Sequence, residues 1–138
     1  MKVLISDKVD TGCVGILEEG GEISVDVNTD LTPDQLLEVI GDYDGLIVRS
    51  ATKVTRDVLD RATRLRAIGR AGAGVDNIDS QAATRRGVVV MNTPFGNSIT
   101  TAEHAIAMMF SLARQIPVAN ASTQAGKWEK SRFMGVEV

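Results

Sequence analysis

The chain has 138 residues, with 15 Lys and Arg against 18 Asp and Glu, one His and one Cys. A net charge of −3 provides no broad positive field for nucleic acid or for an acidic membrane surface. Cys13 alone can form no internal disulfide and has no Cys/His spacing for zinc, and no apolar run is long enough to cross a bilayer.

The N-terminal run "MKVLISDKVD" is too short in apolar residues for the core of a secretion signal, so the expected compartment is the cytoplasm. The length suits one globular body that buries roughly two-thirds of its unfolded surface. "KVLIS" (2–6) is an expected buried strand, and "TGCVGILEEGG" (11–21) a short helix stopped by glycines. "EISVDV" (22–27) alternates with period two and suits an edge strand. In "TPDQLLEVIGD" (32–42), Thr32 caps a helix with Pro33 in its first turn. "DGLIVRS" (44–50) is a strand, "TRDVLDRAT" (55–63) a helix capped by Thr55, and "LRAIG" (65–69) a strand. "VDNIDSQAATRRG" (75–87) is a turn and helix, and "VVVM" (88–91) a fifth strand.

Strands alternating with helices predict an α/β fold, a flavodoxin-like parallel sheet of order 2-1-3-4-5 with helices on both faces. Its crevice lies outside the carboxyl ends of the first and third strands, next to Ser6–Asp7 and Arg49–Ser50. After "NTPFGNS" (92–98) the rhythm changes. "SITTAEHAIAMMFSLARQIP" (98–117) predicts a long helix with Ser98 as candidate N-cap and Pro117 as its stop. Its apolar residues cover more than one face, which predicts burial on most sides. A second helix is expected within "PVANASTQAGKW" (117–128).

The stretch "GRAGAGVDNID" (69–79) invites comparison with a dinucleotide-binding fingerprint, which needs G-x-G-x-x-G and an acid about twenty residues later. From Gly72 the third glycine position is Asn77, and the next strand ends in "MNTP" without an acid, so the fingerprint fails. What remains is a turn whose Gly72 and Gly74 let a ligand approach the backbone. Its N–H groups are expected at a helix N-terminus, with Arg70 beside them and Arg49 and Ser50 on the neighbouring strand end. That predicts a site for a small carboxylate or phosphate. The competing reading is a plain turn whose Arg49 and Arg70 pair with Asp7, Asp42 or Asp76. Convergence of both arginines on one rim favours the site.

"GLIVRSATKVT", "GRAGAGVDNID", "VMNTPFGNS", "AEHAIAMM", "LARQIP" and "GKWEKSRFMGVE" together resemble the D-isomer-specific 2-hydroxyacid dehydrogenases. "LARQIP" and "KWEKSRFMG" point to the phosphoglycerate dehydrogenase branch. The resemblance implies a substrate-binding domain at 1–94, and at 95–138 the start of an NAD-binding domain with a dimerisation helix and arm. It implies that Arg49, Ser50, Arg70, Gly72, Asn97, Lys130 and Arg132 bind a small anionic substrate, 3-phosphoglycerate. It places Ala73 at the nicotinamide end of NAD, and a homodimer through 98–138. It also implies that the GxGxxG fingerprint and the catalytic residues lie beyond "FMGVEV", so no catalytic residue is assigned and these residues alone are expected to be inactive. His104 in "AEHA" is expected to be a structural, hydrogen-bonded histidine. Alternatives are another dehydrogenase of the same family and a stand-alone flavodoxin-like binding module.

Overall fold

The computed structural model describes residues 1–138, which divide into two compact units, Met1–Gly96 and Asn97–Val138. The first unit is built from β1 (Lys2–Ile5), α1 (Gly12–Glu18), β2 (Ser24–Val27), α2 (Pro33–Val39), β3 (Gly45–Val48), α3 (Arg56–Arg61), β4 (Ala67–Arg70), α4 (Ser80–Arg85) and β5 (Val89–Asn92). The five strands form one parallel sheet of order β2-β1-β3-β4-β5, as the alternation of elements predicts.

Parallel neighbours need right-handed crossovers. The chain moves one way along the sheet from β1 to β2 and the other way from β2 through β5. Handedness therefore places α1 on one face and α2, α3 and α4 on the other. The buried set follows the same division. Leu4, Leu46, Val48 and Ile68 on the sheet, with Val88 just before β5, pack with Leu36, Val58, Leu59, Ala82 and Ala83 from the three helices. Alternate residues such as Val3 and Ile5 are buried outside that cluster, as the period-two geometry of a strand requires.

The helix starts rest on local chemistry. Thr32 accepts from the Gln35 N–H while the Gln35 side chain accepts from the Thr32 N–H, a reciprocal capping box. Thr55 accepts from the Val58 N–H, and Asp79 from the Ala82 N–H. At the opposite end of the sheet from the crevice, Lys2 meets Asp26 at 2.8 Å and lies over the Tyr43 ring, whose hydroxyl donates to Asp26 at 2.7 Å. The hydrogen bonds from Lys2 and Tyr43 hold the Asp26 carboxyl below the usual range.

The second unit contains α5 (Ser98–Ala113), α6 (Ile116–Gln124) and a 3-10 turn at Lys130–Arg132. Asn97, not Ser98, occupies the N-cap position, and Ser98 is the first helical residue. Pro117 does not stop α5. The helix closes at Arg114, the chain reverses through left-handed Gln115 (φ 54°), and Pro117 sits in the first turn of α6, where its missing N–H costs nothing. The tail folds back so that the Val136 N–H donates to the Ala113 carbonyl at 2.9 Å. Gly135 permits this with φ 62°, and a Cβ there would collide with that carbonyl. The expected burial of α5 on most sides is not met: no residue of the unit is buried, because two short helices cover only part of each other's surface.

Replacing fully buried Ile68 by Ala is expected to cost about 2–5 kcal/mol. Replacing Ile16, which is exposed on α1, is expected to change stability by about 0.5 kcal/mol or less. Urea unfolding followed by far-UV circular dichroism measures both.

Candidate functional site

The site grows from the carboxyl ends of β1, β3 and β4. Asp7 lies two residues past the end of β1 and is buried, with 4% of its surface exposed. A buried carboxylate has to be compensated by a cation or by several donors, and here the compensation is backbone. Asp7 accepts from the N–H groups of Arg49 (2.6 Å), Ala51 (3.1 Å) and Thr52 (3.0 Å), and from the Thr52 hydroxyl (2.6 Å). Burial pushes the Asp7 carboxyl up, but the hydrogen bonds from Thr52, Arg49 and Ala51 outweigh it, so the group sits below its ordinary range. The loop 49–52 is thus wrapped around a fixed negative charge.

The same loop is held from its other side by carbonyl contacts. Arg70 Nε donates to the Arg49 carbonyl at 2.8 Å. Asn77 Nδ2 donates to the Arg49 and Thr52 carbonyls at 3.2 and 2.7 Å. Val48 and Arg70 are register partners across β3 and β4, which brings Arg49 beside Arg70 on one rim. The Arg70 side chain is only 12% exposed and its Nη1 is paired with Asp76 at 2.8 Å. Arg49 is exposed and forms no ion pair. Ser50 is exposed, and its backbone N–H is the one amide of loop 49–52 without a hydrogen-bond partner.

The glycine loop crosses this rim. A Cβ on Gly74 would press against Arg70 Nη1 and Asp76, and one on Gly72 would lie against the Arg70 guanidinium. The absence of side chains there keeps room for Arg70. Asn92 at the end of β5 donates to the Ala73 carbonyl at 2.7 Å, and Ala73 itself is exposed. One expectation fails. The glycine loop does not open a helix: α4 begins at Ser80, its first turn capped by Asp79, so the loop has no helix dipole behind it. An anion on this rim would be met by guanidinium and free amide groups only.

The pairings predicted for a plain turn hold in one case. Arg70 does pair with Asp76, whereas Asp7 binds backbone amides and neither Asp7 nor Asp42 meets an arginine side chain. The crevice at the first and third strands is also a cavity of about 520 Å³, lined by Ser6, Asp7, Leu31, Leu36, Thr52 and Val58 among others. Arg49, Ser50 and Arg70 do not line it. Loop 49–52 therefore has two sides, one toward this apolar-floored cavity and one carrying the arginine rim.

Of the residues predicted to bind substrate, Arg49, Ser50, Arg70 and Gly72 belong to the first unit and are gathered by these contacts. Asn97, Lys130 and Arg132 belong to the second unit. Asn97 is the N-cap of α5 and makes no side-chain cap, and Lys130 and Arg132 are exposed on the 3-10 turn. Arg132 is shared with Glu129 at 3.3 Å, and Glu129 accepts from the Ser122 hydroxyl at 2.7 Å. That hydroxyl and the arginine hold the Glu129 carboxyl below its ordinary range. His104 is exposed and forms no hydrogen bond, so it is not the hydrogen-bonded histidine expected from its neighbour Glu103. The sequence pattern places Asp7 at the crevice and reads Asn77 only as a failed glycine position; it does not show that both bind the backbone of loop 49–52.

Asp7→Asn places an amide where backbone donors converge and is expected to lose about 1.5–3 kcal/mol of stability. Because the folded carboxyl is depressed, its contribution is complete above the unfolded value of about 3.9 and is lost as pH falls through the folded value. The stability gap between the parent and Asp7→Asn should therefore be constant near neutral pH and shrink below about pH 4. Denaturant unfolding at stepped pH measures it.

Residues 3–131 match the family model for the D-isomer specific 2-hydroxyacid dehydrogenase, catalytic domain. The chain is 53% identical over 137 residues to the D-3-phosphoglycerate dehydrogenase of Homo sapiens, covering 99% of this chain and 26% of that protein. It thus spans about a quarter of the length of the curated relatives it matches. Among solved structures it resembles a Pyrococcus horikoshii OT3 protein (TM-score 0.85, 33% identity, 99% of this chain and 42% of that one). It also resembles the NAD+-bound 3-phosphoglycerate dehydrogenase of Entamoeba histolytica (TM-score 0.69, 32% identity, 83% of this chain and 39% of that one). With a model match over nearly its whole length, the chain belongs to the D-isomer specific 2-hydroxyacid dehydrogenase family.

Proposed function

We propose that these residues are the substrate-binding portion of an NAD-dependent D-3-phosphoglycerate dehydrogenase. That enzyme converts 3-phosphoglycerate to 3-phosphohydroxypyruvate, the first step of serine biosynthesis, in the cytoplasm. The observation that carries the reading is the rim itself. Arg49 and Arg70 stand on adjacent strand ends beside the exposed Ser50, on a backbone tied down by Asp7 and Asn77. A substrate with a carboxylate and a phosphate needs two cationic anchors, and the rim offers them as one guanidinium held in place, Arg70, and one without a partner, Arg49.

In this reading residues 1–94 form the substrate-binding domain, and 95–138 begin the NAD-binding domain and supply a dimer arm. Arg49, Ser50, Arg70 and Gly72 hold the substrate. Asn97 stands near it, and Lys130 and Arg132 meet the phosphate. NAD, when bound, accepts the hydride leaving C2 of the substrate. The residues present fit only an edge of that cofactor: Ala73 is exposed, Gly74 carries no side chain, and no strand–GxGxxG–helix occurs among these 138 residues. The role of these residues is to bind, orient and desolvate the substrate. The group that takes the hydroxyl proton is assigned to none of them, His104 included.

The helix α5 supports a second part of the proposal. Ile106, Met108, Met109, Phe110 and Leu112 are all exposed on it. Apolar patches larger than a few hundred Å² mark interaction surfaces, and a two-fold dimer through 98–138 would cover them.

Two outcomes are expected. In the complete enzyme, Arg49→Ala and Arg70→Ala should each weaken 3-phosphoglycerate binding by about 10- to 150-fold, the equivalent of one charge-assisted hydrogen bond. NAD affinity should stay within about twofold. Steady-state kinetics across a panel of D-2-hydroxy acids measures this, and preference for an acid without phosphate contradicts the substrate assignment. Light scattering at micromolar concentration should show a dimer of these 138 residues, and Phe110→Asp a monomer with the circular dichroism of the first unit retained.

A further inference from the structure

Loop 49–52 has four backbone amides, and three of them point inward to Asp7. The fourth, on Ser50, is left at the exposed tip. An amide is a useful anion donor only if the peptide carrying it cannot rotate away. Asp7 fixes the amides. The carbonyls at the two ends of the loop, Arg49 and Thr52, need a fixed partner of their own.

Asn77 is that partner. Its Nδ2 reaches both carbonyls, at 3.2 and 2.7 Å. Two acceptors at one nitrogen require the –NH₂ group there, which settles the orientation of the amide. Its Oδ1 is buried with no hydrogen-bond partner. An amide at this position is explained by its two donors. Asn77 also follows Asp76, the partner of Arg70, by one residue, and Arg70 Nε shares the Arg49 carbonyl with it. Loop 49–52 and the glycine loop are thereby joined at one point.

We propose that Asn77 is a positioning residue for substrate recognition: by bridging the Arg49 and Thr52 carbonyls it presents the Ser50 N–H, Arg49 and Arg70 together as one preformed anion site. This rests on the dehydrogenase reading above for its substrate, but not for its geometry. The Asn77 bridge adds a backbone donor, the Ser50 amide, to the two arginines. It also explains why a position that a dinucleotide fingerprint fills with glycine carries an amide here.

The test uses the complete enzyme and the variants Asn77→Asp, Asn77→Ala and Thr55→Ala. Asn77→Asp keeps the shape but turns acceptors toward two carbonyls. It should raise the substrate KM by about tenfold or more, equivalent to losing one to two hydrogen bonds, with kcat and the KM for NAD each within about threefold. As pH falls and the introduced carboxyl gains a proton, one donor returns, and the ratio of its KM to the parent's should fall. Asn77→Ala should show a smaller rise without this pH dependence. Thr55→Ala removes a helix cap and should lower stability while leaving both KM values unchanged. Hydrogen exchange of the peptide covering 49–52, measured without ligand, should accelerate in both Asn77 variants and not in Thr55→Ala.

An enzyme that turns over 3-phosphoglycerate with the same KM after Asn77→Asp overturns the inference. So does unchanged exchange in loop 49–52, whatever the substrate proves to be. A parent enzyme without activity on 3-phosphoglycerate removes the dehydrogenase reading, and the exchange measurement then decides on Asn77 alone.

Discussion

A single buried carboxylate organises the functional end of this sheet. Asp7 lies just past the carboxyl end of β1 and is surrounded by N–H and O–H donors from one loop rather than by a cation. An arginine partner would neutralise Asp7 and be neutralised by it. Backbone donors leave Arg49 and Arg70 uncommitted to Asp7 and available at the rim. The charge also sets the shape of the loop, because three amides must converge on two oxygens. Asn77 and Arg70 then close the loop from the carbonyl side.

The rim that results is a compromise between attraction and storage. Arg70 is nearly buried and already paired with Asp76, which is itself exposed. Because Asp76 is solvated, it can be shared with or give way to an incoming anion, while Arg70 stays held at the Arg49 carbonyl. Arg49 carries no such partner and is the freer of the two. The cavity behind the loop, floored by Leu31, Leu36 and Val58, is largely apolar in lining and lies on the other side of Asp7. Anion recognition and apolar packing are therefore separated by one four-residue loop.

The sheet order, the sequence of strands and helices and two helix caps were legible in the sequence because each depends on local rules. Alternation of strands and helices fixes a parallel sheet, and Thr32 and Thr55 satisfy N–H groups three residues away. The roles of Asp7 and Asn77 were not legible. Both act on residues 25 to 45 positions distant, and a count of charges suggests an Asp–Arg pair where the fold makes an Asp–backbone one. Asn77 looked like a missing glycine because the fingerprint is a linear pattern, whereas its partners come from another strand end. Pro117 looked like a helix stop because proline forbids an interior helical N–H, a rule that the first turn of the next helix satisfies equally well. The family resemblance was carried by short motifs, three at the strand ends of the first unit and three in the helices and tail of the second, and the match over residues 3–131 agrees with it.

The most direct measurement is a crystal structure of the dehydrogenase proposed above with 3-phosphoglycerate added. Both the Arg49 and Arg70 guanidinium groups are expected within hydrogen-bonding distance of substrate oxygens, directly or through one water, with the Ser50 N–H donating to the same anion and loop 49–52 unmoved around Asp7. A substrate seated in the cavity between α2 and α3, or bound elsewhere with both arginines untouched, would contradict the rim as the recognition site.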